Sequence, residues 1–291
     1  MRLSSFLTGS IGLLLTLGVL SCQDHRVPAN PPAARLRVKT LAQDYPNNAR
    51  KITYFLYDQQ GRISQFTAYV SPDSLTNPIE INTYQYDAQN RLARHQRTVS
   101  SAPNYIFGPY AERYQYSYNA AGKVSEIRYY TTYFKPTSPG QLIVDPALLD
   151  DPNALTDLVQ LQYNSAGQLA GSSRTSYSQG VVNPGFSQVR QYAYTGANIT
   201  QETVTTNSFA SSTTETNSIT YDTQVNPFYG VYVIPKYYGG TTNLNTTSPN
   251  NQTSYGGVKF QYEYNAAGLP TVRYTITDKV AETLRYTYET Y

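Results

Sequence analysis

The sequence predicts a single all-β domain, an antiparallel meander of hairpins forming one long curled sheet or an open, barrel-like structure. A seven-residue phrase recurs as "YDQQGRI" at 57–63, "YDAQNRL" at 86–92, "YNAAGKV" at 118–124, "YNSAGQL" at 163–169 and "YNAAGLP" at 264–270. Its letters are those of a tight turn between two strands. The flanking residues alternate apolar and polar, the period of a half-buried strand. Thirty tyrosines and no tryptophan agree, because tyrosine suits a pleated surface where its ring packs and its hydroxyl stays in water.

Taken from the N-terminus, residues 1–21 read as a secretory signal, with Arg2 as its basic start and an apolar run from Phe6 to Leu20. "VLSC" at 19–22 resembles the lipobox of bacterial lipoproteins, which implies cleavage before Cys22, lipid on Cys22 and a place at the bacterial outer membrane. Cys22 is the only cysteine, so the mature fold has no disulfide. Several acyl chains, at about 0.8 kcal/mol per buried methylene, anchor more firmly than a single chain. Residues 22–37, proline- and alanine-rich after the cysteine, form the lipidated cysteine and its tether. Residues 38–291 form the β domain. Without Arg2 the net charge is about +2, too little to suggest nucleic acid as a partner.

Each phrase can be read letter by letter. Asp58, Asp87, Asn119, Asn164 and Asn265 stand three residues before Gly61, Asn90, Gly122, Gly167 and Gly268. That spacing predicts a type I turn closed by a left-handed residue, the three-residue hairpin loop with a bulge: the acid or amide caps the turn, and glycine or asparagine accepts positive φ. "YTGANI" at 194–199 is one residue shorter and calls for another turn. Phe55, Tyr84, Tyr116, Leu161, Tyr192 and Tyr262 lie two residues before the phrase tyrosines, on the same strand face. Ile63, Leu92, Val124 and Leu169 open the returning strands, while Pro270 in that place predicts an edge or a bulge. The tyrosines, with echoes at 221 and 288, are 24 to 45 residues apart. Such irregular spacing excludes a solenoid of equal coils.

Two stretches interrupt this rhythm. "VDPALLDDPNALTDL" at 144–158 pairs Asp145 with Pro146 and Asp151 with Pro152, the acid-then-proline start that predicts a short helical insertion at about 145–158. Residues 226–257 begin with an aromatic cluster and end in an Asn/Thr/Ser/Gly-rich segment that reads as a long loop.

The phrases resemble the YD repeats of RHS-type proteins, Y-D-x-x-G-R-[LI], matched outright by "YDQQGRI". With the lipobox, "YDTQVNPF" at 221–228, "SPNN" at 248–251 and "YEYNAAGLPT" at 262–271, the chain is also similar to a Gram-negative lipoprotein family of unknown function described as porin-like in fold. The resemblance covers residues 38–291 and implies a long antiparallel sheet approaching a barrel. It implies no activity, and the chain has far fewer repeats than the RHS shells that enclose toxins.

No catalytic set can be assembled from the sequence, so the chain reads as a non-enzyme with no cofactor and no metal. Of two histidines, His25 lies in the tether and His95 reads as a solvated strand residue, without a G-x-S-x-G elbow to support a triad. Structural and catalytic zinc need more Cys and His than are present. Glu112, Glu126, Glu202 and Glu263 are scattered carboxylates, and Asp145, Asp150, Asp151 and Asp157 read as helix caps because no calcium-loop pattern surrounds them. Phe228, Tyr229, Tyr232, Tyr237 and Tyr238 are the candidate ligand-binding aromatics, able to stack on a glycan or to anchor an envelope protein. The competing expectation for these rings is packing, as a core strand or a plug. The function expected is a lipid-anchored binding or structural module of the envelope, with a purely structural component without ligand as the alternative and a glycan-active enzyme as the third choice.

Overall fold

The computed structural model describes residues 36–45, 48–72, 77–100, 109–133, 146–231 and 246–291, which build one closed antiparallel barrel of sixteen strands. The first seven are β1 (Leu36–Asp44), β2 (Arg50–Tyr57), β3 (Ile63–Ser71), β4 (Glu80–Tyr86), β5 (Leu92–Val99), β6 (Tyr110–Tyr118) and β7 (Val124–Tyr133). Then come β8 (Leu155–Tyr163), β9 (Leu169–Ser178), β10 (Val181–Thr195), β11 (Asn198–Ser208) and β12 (Ser211–Val225). The last four are β13 (Asn250–Tyr255), β14 (Val258–Tyr264), β15 (Pro270–Ile276) and β16 (Val280–Thr290). Each strand pairs with its neighbours in sequence, and β1 closes the ring on β16 from Leu36↔Thr290 to Asp44↔Thr283. The two edges of the expected sheet therefore meet, and closure removes the unpaired backbone that an open sheet would expose.

All phrase turns lie at one end of the barrel. In the first, Asp58 Oδ1 accepts the N–H groups of Gln60 and Arg62, and Gly61 donates to the Asp58 carbonyl with φ of +79°. The same backbone bond and positive φ recur at Asp87 with Asn90, Asn119 with Gly122, Asn164 with Gly167 and Asn265 with Gly268. A register slip adjoins each turn, as where Leu56 faces Gln65 and Tyr57 faces Ile63, leaving Ser64 over on the returning strand. Because φ at Gly122 is +75°, Gly122→Val is expected to cost about 1–3 kcal/mol. Gly122→Asn should be mild, since Asn90 already occupies the equivalent place; equal midpoints for both variants in a urea titration would refute this account of the turn.

The shorter copy closes through Gly196 and Ala197, with Thr195 opposite Asn198 and φ of +61° at Gly196. Pro270 sits opposite Tyr264 at a register slip, where the ladder is already interrupted.

Three boundaries need correction. The helical insertion is two 3-10 turns, Pro146–Asp150 and Pro152–Ala154, followed at once by β8. Asp151 does cap its turn, accepting from the Asn153 N–H at 2.8 Å, but the alternation of "LTDLVQLQY" prevails from Leu155. The Asn/Thr/Ser/Gly-rich segment expected as a loop at the end of 226–257 contains β13, which turns into β14 through Gly256 and Gly257. β1 begins at Leu36, two residues inside the expected tether.

The hydroxyls of the phrase tyrosines do not stay in water. Tyr86 donates to the Ile63 carbonyl, Tyr118 to Leu92, Tyr163 to Val124, Tyr194 to Leu169 and Tyr288 to Pro270, at 2.7–2.9 Å. Tyr57 reaches Val38 in the same way. Apart from Val38, which lies on β1, these carbonyls belong to residues that open a strand of the preceding hairpin, so these copies fasten themselves to the one before; Tyr264 instead donates to the Asp222 carboxylate. The phrase arginine serves both copies: Arg62 binds Asp58 Oδ2 at 2.7 Å and lies 3.9 Å above the Tyr86 ring, and Arg91 does the same with Asp87 and Tyr118.

The bulges also shift the phase of the inward face. From Ile63 the next buried residue is Phe66, and from Leu92 it is His95, three positions on and not two. Strict alternation from Leu92 puts His95 outside; the extra residue puts it inside, where it is 1% exposed. The expectation of a solvated His95 is thereby overturned.

Candidate functional site: the barrel interior

The interior has two zones along the barrel axis. At the turn end the inward residues are apolar: Val38, Phe55, Ile63, Phe66, Tyr84 and Leu92 form one cluster, and Tyr114, Val124, Ile127, Tyr129 and Val159 a second. Phe228, on the connection after β12, packs into the first cluster, its ring 6.0 Å from Phe55 and 6.4 Å from Tyr286. β12 lies four strands round the ring from β16, so Phe228 projects across the turn end and helps to close it. Asn226 holds this entry, its side chain donating to the Ser248 carbonyl and accepting the Phe228 N–H, both at 3.0 Å.

Above this floor lies a belt of ionic side chains. Arg97 donates to Glu80 through Nε and Nη2 at 2.9 and 3.1 Å, and through Nη1 to Glu112 at 3.0 Å. Lys51 reaches Glu80 at 3.3 Å, and Tyr129 donates to Glu112. Farther round, Asp157 accepts from Arg174 twice at 2.8 Å and from Ser176 at 2.7 Å, Glu202 accepts from Arg190 and Tyr255, and Arg273 binds Glu282. Burial alone would raise the Glu80 carboxyl; hydrogen bonds and charge from Arg97, with help from Lys51, outweigh it and hold its pKa below the usual value.

His95 joins floor and belt. Its ring stacks between Tyr84 and Tyr114, with centroids 4.6 and 5.1 Å away, and Nε2 contacts Asn82 Oδ1 at 2.8 Å. Burial, reinforced by the Arg97 cation, pushes its pKa down to about 3 against the opposing pull of Glu80. The imidazole is therefore neutral at physiological pH and serves as a packed, hydrogen-bonded wall residue.

Of the candidate aromatics, Phe228 is engaged in packing and Tyr229 is 40% exposed on the surface. Tyr232, Tyr237 and Tyr238, like Cys22, lie outside the described residues. The candidate carboxylates are dispersed: Glu112 and Glu202 face inward on separate sectors, Glu126 pairs with Arg128, and Glu263 accepts from Tyr274. Asp157 is no helix cap but part of the belt, and Asp150 pairs with Arg113. Among the described residues no group of three His, Cys, Asp or Glu is placed to hold a metal ion. The belt escaped sequence reading because its partners come from different strands; charged residues within the strands, Arg94 and Arg97 on β5 and Glu112 and Arg113 on β6, were the one signal available.

The outer wall is polar as well. Thr203 and Thr205 on β11 face Thr216 and Thr214 on β12 as hydroxyl rungs at 3.3 and 3.0 Å, and Thr40 meets Thr287 across the closing pair. Glu126 with Arg128, and Asp44 with Arg285, put charges on the same surface. Exposed apolar residues such as Tyr54, Leu56 and Ile81 interrupt this wall without banding it. A bilayer-spanning barrel needs an apolar band about 25 Å tall around its whole circumference. No helix among the described residues is long and apolar enough to cross a membrane.

No family model matches the chain, so the YD-repeat resemblance rests on the turn phrases alone. No curated protein matches it either. Among solved structures it is similar to a porin-like protein from Bacteroides uniformis, at 12% identity over 89% of this chain and 98% of that one, with a TM-score of 0.49. A porin-like protein from Bacteroides vulgatus matches at 10% identity over 88% and 99% of the two chains, with a TM-score of 0.40. A Photorhabdus luminescens Tc holotoxin pore structure matches at 14% identity over 82% of this chain and 12% of that one, with a TM-score of 0.27.

Proposed function

We propose that this chain is a lipid-anchored protein of the bacterial outer envelope whose barrel stands in water beside the membrane and acts as a binding or structural module. The polar outer wall is the observation that carries this reading: burying Thr, Gln, Glu and Arg side chains in hydrocarbon would cost several kcal/mol for each unpaired group. The lipobox at Cys22 supplies the attachment that such a wall cannot. β1 begins at the turn end, so the tether holds that end toward the lipid and leaves the opposite end, with the β11–β12 hairpin, pointing away. A glycan or an envelope protein is the class of partner this placement suits, and a purely structural role without a ligand is the second reading.

Cys22→Ser tests the proposal. It should abolish labelling by a fatty-acid analogue and move the protein into the soluble fraction without detergent, with its thermal midpoint unchanged. Retention of the unlabelled variant in membranes after a carbonate wash would mean that the barrel itself inserts.

A further inference from the structure

The barrel is closed, yet its wall is not of even height. β12 runs for fifteen residues, but β13 accompanies it only from Ile219 onward and then turns back at Gly256 and Gly257. The upper part of β12, Ser211 to Ser218, therefore pairs with β11 on one side and has no strand beside it on the other among the described residues. Residues 211–216 are exposed on both faces.

The pairing identifies which backbone groups point into this gap. Ser208 faces Ser211 across the two-residue loop Phe209-Ala210, and the pair closing such a loop exchanges both hydrogen bonds. Alternation from there directs the N–H and C=O groups of Ser212, Thr214 and Thr216 away from β11. Natural edges are blunted by lysine, proline or a bulge, and residues 211–218 contain neither residue, while their register with β11 runs without a slip.

The gap is also a shaped site. A cleft of about 550 Å³ lies at its foot, lined by Thr216, Asn217, Ser218, Ser254, Gly256, Gly257 and Lys259. Gly257 has open space where a side chain would project, while at Gly256 a Cβ would lie 2.7 Å from the Asn217 side-chain oxygen. Lys259 is exposed and has no carboxylate partner among the described residues.

We propose that the upper edge of β12 is a strand-addition site for an extended segment of a partner protein that carries an acidic residue. Main-chain hydrogen bonds to Ser212, Thr214 and Thr216 would supply affinity, and the ammonium of Lys259 would select the carboxylate where the segment enters the cleft. About seven or eight residues match an edge of this length at about 3.4 Å each. The site is independent of lipidation and goes beyond the reading given above.

Selection of a phage-displayed library of random twelve-residue peptides on the full chain tests it. Enriched peptides should contain an acidic residue, and binding should protect the amides of Ser212, Thr214 and Thr216 from hydrogen exchange. Thr214→Pro removes an amide directed into the gap, outside the β11 ladder, and should weaken binding at least tenfold with an unchanged far-UV spectrum. Thr214→Val keeps the main chain and should bind like the parent, whereas Lys259→Glu should lose several-fold and shift enrichment toward basic peptides. If no peptide is enriched, or if Thr214→Pro binds as the parent does, the proposal is overturned. A dimer that Thr214→Pro dissolves would overturn it in favour of pairing between two copies of the chain.

Discussion

Arg97→Ala should lower stability by about 3–5 kcal/mol, the range for removing one partner of a buried ion pair. Arg97 is held by two carboxylates, and Glu80, Glu112 and Arg97 are each no more than 5% exposed. Its removal leaves two acids facing one another across the space it filled, with Lys51 and the Asn82 amide on Glu80 and the Tyr129 hydroxyl on Glu112. Arg97→Lys should lose less, because a charge remains while the two-pronged bond to Glu80 does not. Adding Glu80→Gln and Glu112→Gln to Arg97→Ala should restore part of the loss, since neutral amides need no counter-charge. Urea titrations of the four proteins decide the matter. A loss below about 1 kcal/mol for Arg97→Ala would mean that water reaches the belt and solvates its acids.

Acid should weaken the barrel well before its exposed carboxylates titrate. Folding pushes the His95 imidazole down to about 3 from an ordinary 6.5, so between those values the unfolded chain binds more protons than the folded one. Stability therefore rises with pH through this window and is lost as pH falls, at about 1.4 kcal/mol per unit below 6.5. By pH 4 the loss reaches about 3 kcal/mol. Glu80, whose carboxyl is held below its ordinary value, adds to it in the same direction under about pH 4.5. His95→Gln should be less stable at pH 7, having lost the stack between Tyr84 and Tyr114, yet its denaturation midpoint should change little from pH 7 to 5. A parallel fall in parent and variant across that interval would assign the acid sensitivity to other groups.

The turns were legible in the sequence because their chemistry is local. Asp58 and Gly61 meet within four residues, and nothing distant alters the bond between them. Ring closure was not, since β1 and β16 join residues about 250 positions apart and an alternating pattern reads the same in a flat sheet as in a barrel. His95 was misplaced for a third reason: one bulge residue reverses the faces of everything beyond it, and a bulge is invisible to a count by twos. The aromatic cluster divided between readings because apolarity alone does not say which ring turns inward; Phe228 packs inside while its neighbour Tyr229 is exposed.

The clasp between successive hairpins bears on how such a ring could change size. Each hairpin from β2 to β9 brings its own turn, the tyrosine that fastens it backward, and the carbonyl that receives the next tyrosine. Duplicating one hairpin in the gene would insert a part whose every contact is already specified, giving eighteen strands in place of sixteen, and deleting one would give fourteen. Circumference then varies in steps of two strands with no intermediate values, as in other modular chains whose stability is a sum over adjacent units. The long connection after β12 is the exception: its ring Phe228 spans to β16 and β2, so it gauges one particular diameter, and a lineage that altered the strand number would have to refit that single bolt.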